Sequence, residues 1–171
     1  MIPQRKSIRL KGYDYSQKGM FFVTLKSFEG RHIFGHIEQG KMLLNQLGVE
    51  TQNCWLEIPN HFPHVKLHEF VIMPNHLHGI IEITSNSNTP NKSNDLEKQK
   101  ESSSQVARSP SKTLGSIIRG FKIGVTKWAR QNTDINDVWQ RNYHDIIIWD
   151  GKMYVNITQY IINNPKKWET K

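Results

Sequence analysis

The chain has 171 residues, 36% of them apolar and 10% aromatic, with a formal charge of +8 and a pI near 9.6. That length suits one domain with a hydrophobic core of its own, and a single cysteine, Cys54, excludes an internal disulfide framework and fits a reducing compartment. No segment approaches an apolar membrane span and the basic N-terminus lacks the apolar stretch of a signal peptide, so a bacterial cytoplasmic location is expected; the basic balance favours a polyanionic partner, nucleic acid first.

Residues 1–19 read as a polar lead-in, where Arg5, Lys6, Arg9, Lys11 and Lys18 face one acid, Asp14. "MFFVTLKS" predicts a strand, with Phe21, Val23 and Leu25 alternating against Phe22, Thr24 and Lys26. "HIFGHIEQGKMLLN" predicts a short hairpin turning at Gln39-Gly40, and a helix is expected from about Gln46 to Leu56, bounded by Pro59 and Pro63. "HVKLHEFVIM" and "HLHGIIEIT" predict two further strands, from His64 to Met73 and from His76 to Thr84. Pro74-Asn75 between them suits a tight turn, so they are expected to pair as a hairpin.

Ser85 to Lys112 is rich in Ser, Asn and Lys and nearly free of large apolar residues, which predicts a flexible insertion within one domain spanning 1–171. From Thr113 to Asn132, Leu114, Ile117, Ile118, Phe121, Val125 and Trp128 recur at helical spacing, with Arg119, Lys122 and Arg130 toward solvent. A strand is expected from His144 to Trp149, a turn near Asp150-Gly151, and a last helix ending about Asn164, before Pro165. The main elements run strand, helix, hairpin, helix, strand, helix. That order fits an α+β fold, a ferredoxin-like antiparallel sheet with helices packed on it.

Strand alternation puts His76, His78, Ile80 and Glu82 on one face, and Leu77, Gly79, Ile81 and Ile83 on the other, which looks like core. Two imidazoles at i and i+2 can converge on one ion, and Gly79 permits a close backbone approach. The plain alternative is a hydrogen-bonded or solvated histidine pair on a half-exposed strand. Tyr160 and Asn164 share a helical face, which offers a phenol and an amide oxygen to the same place. Here too a buried tyrosine and an Asn closing a helix before Pro would explain both residues.

The segments "RKSIRLKGYDYS", "GMFFVTL", "IFGHI", "FVIMPNHLHGIIEI", "SIIRGFKIGVTKWAR", "VWQRNYHDIII" and "YIINNPKKW" together resemble the REP-associated tyrosine transposases, of the HUH single-tyrosine class that includes the insertion-sequence-two-hundred type. The resemblance covers nearly the whole chain outside the Ser/Asn-rich insertion. It implies a DNA-strand transferase acting on single-stranded or hairpin DNA, hence an association with the nucleoid. It makes His76 and His78 the metal-binding pair, Tyr160 the nucleophile and Asn164 the third ligand. Imidazole and oxygen ligands suit Mg²⁺ or Mn²⁺ in an open site. Both a homodimer with shared active sites and a self-contained monomer are compatible with it. The stretch "HDIIIWD" departs from the family, many of whose members carry a second histidine or a basic residue there, which puts a proton-shuttling or DNA-gripping role for this stretch in doubt.

DNA contact is expected from Arg5, Lys6, Arg9 and Lys11, from Arg119 and Lys122, and from "WQRNYH", where Trp139, Arg141 and Tyr143 interleave aromatics with a cation. Lys166, Lys167 and Lys171 add to the basic character of the C-terminus. The chief rival is a non-catalytic nucleic-acid-binding module on the same sheet. A zinc site built on His61, His64 and His68 is weaker, because Pro63 interrupts any helical spacing and strand geometry scatters the side chains.

Overall fold

A computed structural model describes residues 17–84 and 113–168. Most of the basic lead-in, with Arg5, Lys6, Arg9 and Lys11, the whole of the expected insertion at 85–112, and Lys171 lie outside the described residues. The strands are β1 (Gly19–Lys26), β2 (Gly35–Glu38), β3 (Lys41–Leu44), β4 (Val65–Met73), β5 (His76–Ile83) and β6 (His144–Ile148). The α-helices are α1 (Gln46–Leu56), α2 (Ile58–His61), α3 (Leu114–Asn132), α4 (Gly151–Ile162) and α5 (Asn164–Trp168).

Four strands form one antiparallel sheet in the order β4-β5-β1-β6. With α1 between β1 and β4, and α3 between β5 and β6, this is the ferredoxin-like arrangement the element order predicts. β2 and β3 form a separate two-stranded hairpin. Its turn is Gln39-Gly40, both at positive φ (50° and 72°), as the twist of a tight hairpin demands.

The alternation of β1 builds two cores. Phe21, Val23 and Leu25 meet Leu77 and Ile81 of β5, and this face is covered by Trp55 of α1 and by Ile117, Phe121 and Val125 of α3. Phe22 points the other way and joins Ile80, Ile148 and Ile161 in a smaller core, against which Met153 and Ile157 of α4 pack. β5 is therefore covered on both faces, not half-exposed. Gly79 is required there: a Cβ would overlap the Trp55 indole and stand 3.2 Å from Phe70 Cβ.

Side-chain caps set three helix starts. Asn45 accepts from Gly48 N–H at 2.9 Å, Thr113 from Ser116 N–H at 3.2 Å, and Asp150 from Met153 N–H at 2.7 Å. The expected end of the last helix near Asn164 needs correction. α4 stops at Ile162, and a second short helix, α5, begins at Asn164. Pro165 falls in its first turn, where a missing N–H costs nothing and the fixed φ suits a helix.

Candidate active site

The two histidines project from β5 toward the α4 side of the sheet. Their rings touch edge-on, with centroids 4.5 Å apart. Register sets what each one meets. On β1, Thr24 pairs with His78 and Lys26 with His76. Thr24 Oγ1 lies 2.9 Å from His78 Nδ1, and the Phe22 ring stacks against His78 with centroids at 5.2 Å.

His76 is oriented from the turn that precedes it. Asn75 Nδ2 donates to the Gly30 carbonyl at 3.2 Å, which fixes the amide so that its Oδ1 faces His76 Nδ1 at 2.7 Å. An amide oxygen can only accept, so Nδ1 carries a proton, and in the neutral ring the lone pair is on Nε2. The turn is itself clamped. Asn75 O accepts from Ser27 N–H, and Pro74 O accepts from Ile33 and Phe34 N–H.

His78 is 6% exposed. Burial, then the neighbouring His76 and then Lys26, pull its pKa down from 6.5 to about 3, so it is neutral at physiological pH with a lone pair to offer. Tyr160 Oη lies 3.3 Å from His78 Nε2, and the two rings meet at 5.3 Å. The tyrosine is 43% exposed, so the residue stays partly open to solvent while its hydroxyl lies against a buried histidine.

Asn164 is 8% exposed, at the junction of α4 and α5. Tyr160 and Trp168, one turn to either side of it in sequence, both touch the histidine pair; the Trp168 and His76 ring centroids are 5.7 Å apart. The donor chemistry fits a divalent cation: two imidazoles, each with one nitrogen held by an oxygen neighbour, and a buried amide placed in sequence between two residues that touch them. Among the described residues, no group of three or more His, Cys, Asp or Glu side chains gathers as a metal cage. The zinc alternative finds its histidines dispersed: His61 is exposed, His64 is buried against Phe62, and His68 contacts Glu82.

The residues expected to contact DNA separate. Arg119 is exposed on α3. Lys122 turns back to donate to the Gln140 and Asn142 carbonyls at 2.8 and 3.1 Å, and burial lowers its pKa to about 8. Trp139 is 9% exposed, with its ring packed in the main core between Phe34 and Phe121 at 5.0 and 5.5 Å. The stacking role expected of Trp139 does not fit that placement. Arg141 and Tyr143 line a cleft beside the histidines. Thr24, Phe22, Asn75 and Trp168 were not expected at the site. Phe22, Thr24 and Lys26 share a face of the predicted first strand, and only the β1–β5 register turns that into proximity to the histidines.

No family model matches the chain. A protein of Haemophilus influenzae described as uncharacterized is 49% identical over 168 residues, 98% of this chain and 92% of that protein. The chain belongs to the same family as that protein. Among solved structures, a REP-associated tyrosine transposase bound to a REP hairpin superposes with a TM-score of 0.61 at 16% identity, over 93% of this chain and 74% of that one. The chain thus has the fold of that transposase. No helix among the described residues is long and apolar enough to cross a membrane.

Proposed function

We propose that this chain is a transposase-type DNA strand transferase: a metal-dependent endonuclease that cuts single-stranded DNA at a hairpin and links itself to the 5′ phosphate through Tyr160. The observation that carries the reading is the hydroxyl of the exposed Tyr160, 3.3 Å from the buried, neutral His78, on a sheet with the fold of a hairpin-bound tyrosine transposase. A purely structural tyrosine would have no need to stay 43% exposed over the buried His78.

In this reading the Tyr160 oxygen attacks phosphorus in line. A P–Oη bond forms and the P–O3′ bond breaks, leaving a 5′-phosphotyrosine and a free 3′-hydroxyl. The phenol proton leaves, and the 3′ oxygen takes one up. Reversal by a 3′-hydroxyl rejoins or exchanges strands without external energy. A free phenol titrates near pH 10 and is a weak nucleophile at neutral pH, so it needs help. His76, His78 and Asn164 would hold Mg²⁺ or Mn²⁺, which when bound polarises a phosphate oxygen.

The test incubates wild type and Tyr160→Phe with labelled hairpin DNA from the flanks of its own gene, in Mn²⁺ or EDTA. The expected result is a denaturant-resistant protein–DNA adduct that needs both Tyr160 and the metal. DNA binding with no adduct under any of these conditions would overturn the reading in favour of a non-catalytic nucleic-acid-binding module.

A further inference from the structure

Beside the histidine pair lies a cleft of about 250 Å³, with Thr24 and Lys26 of β1 on one side and residues 140–144 on the other. Its size falls just below the roughly 300–1,000 Å³ usual for small-molecule sites, so it suits part of one nucleotide. Two of its lining residues, Lys26 and Arg141, are cationic and exposed, and no carboxylate lines it. Gln140 and Asn142 add amide groups of the kind that read base edges, and Tyr143 and His144 add rings. The chemistry is that of an anion with a flat, polar appendage.

The wall of the cleft is built, not loose. Gln140 N–H donates to the Lys26 carbonyl at 2.9 Å, and Ser27 bridges to Trp139. Lys122 donates to the carbonyls of Gln140 and Asn142 from beneath, and the Trp139 ring anchors the segment in the core. Lys122 and Trp139 thus act as positioning residues for this segment. The cleft also shares a wall with the site: Thr24 lines it and holds His78 Nδ1 at 2.9 Å.

We propose that this cleft is the subsite for the nucleotide adjoining the scissile phosphate of single-stranded DNA, with Lys26 and Arg141 on its phosphate. The inference rests on the strand-transferase reading for what lies next door, and on the cleft's own chemistry for what it binds.

The test measures binding of a fluorescein-labelled oligothymidine by anisotropy across about 50–200 mM salt, in a Tyr160→Phe background so that no strand is consumed. Lys26→Ala and Arg141→Ala are each expected to lose about tenfold in affinity, and to flatten the slope of log K against log salt by about 0.7. Lys127→Ala, which removes an exposed charge elsewhere on α3, should change affinity less than about twofold. Unchanged affinity in Lys26→Ala and Arg141→Ala, or an equal loss in Lys127→Ala, overturns the subsite. Adduct formation is scored separately with Tyr160 intact. An adduct with unchanged oligonucleotide binding in the cleft variants overturns the subsite and leaves the catalytic reading standing. No adduct, with binding lost only in the cleft variants, overturns the catalytic reading and the cleft's place beside a scissile phosphate, and keeps only its binding of a nucleotide.

Discussion

Lowering the pH from 7 to 5 should destabilise this fold through His78 in particular. In the unfolded chain the imidazole titrates near 6.5; in the folded protein burial, His76 and Lys26 hold it near 3. Between those values the unfolded state binds the proton and the folded state does not. The contribution is absent well above pH 6.5, grows as pH falls through it, and levels off below about pH 3. At pH 5 the gap from 6.5 is about 1.5 units at 1.36 kcal/mol each, or about 2 kcal/mol lost. The assay is urea unfolding at pH 7 and pH 5, in EDTA, for wild type and His78→Gln. The amide does not titrate, so the variant should lose about 2 kcal/mol less than wild type on acidification. Equal losses in the two proteins would refute the argument that the buried imidazole is kept neutral.

Other changes test the frame around the site. Gly79→Ala drives a methyl into the Trp55 indole and toward Phe70 and should cost about 3 kcal/mol or more in urea unfolding, since neither ring can leave a packed core cheaply. Thr24→Val keeps the shape and removes the oxygen on His78 Nδ1; stability should fall by about 1 kcal/mol, while the single-turnover rate of adduct formation falls about 10- to 100-fold. Tyr160→Phe should leave thermal unfolding within about 0.5 kcal/mol of wild type, so that a lost adduct reports chemistry and not folding.

Much of this architecture was legible because the signals are local. The end of α1 follows from the prolines that bound it, and the span of α3 from its six-residue apolar stripe. The shared face of His76 and His78 follows from the period of a strand alone. What stayed hidden depends on contacts far apart in sequence. That α4 lies on the histidine face of the sheet is suggested by Ile157 and Ile161 beside Tyr160, which can pack the helix there; that this face is opposite the one α1 and α3 cover appears only in the fold. Thr24 reaches His78 across 54 residues, so its role appears only with the register. Trp139 shows the limit of composition: an aromatic beside an arginine reads alike whether its ring faces a base or packs against Phe34. Lys122 is similar, since its place on a polar helix face does not reveal that its ammonium is engaged by two backbone carbonyls.

Helix α4 carries two tyrosines that each touch a histidine, and the choice between them is an electrostatic one. Tyr154 Oη lies 3.3 Å from His68 Nδ1, and His68 Nε2 lies 2.9 Å from Glu82 Oε2. As a nucleophile, base and carboxylate, this row looks better furnished than Tyr160, His78 and Thr24. But the incoming group is a phosphodiester, which is already an anion. A half-exposed carboxylate beside the reacting oxygen repels it, whereas Lys26 and Arg141 next to Thr24 attract it. Tyr154 is also half-buried against the small core, while Tyr160 stands 43% exposed and is more open to an incoming strand. Tyr154→Phe should therefore keep full adduct formation with hairpin DNA, and Glu82→Gln should keep it too. A loss of adduct in Tyr154→Phe with normal unfolding would move the chemistry to the other end of the helix, and with it the metal pair and the cleft would lose their assigned roles.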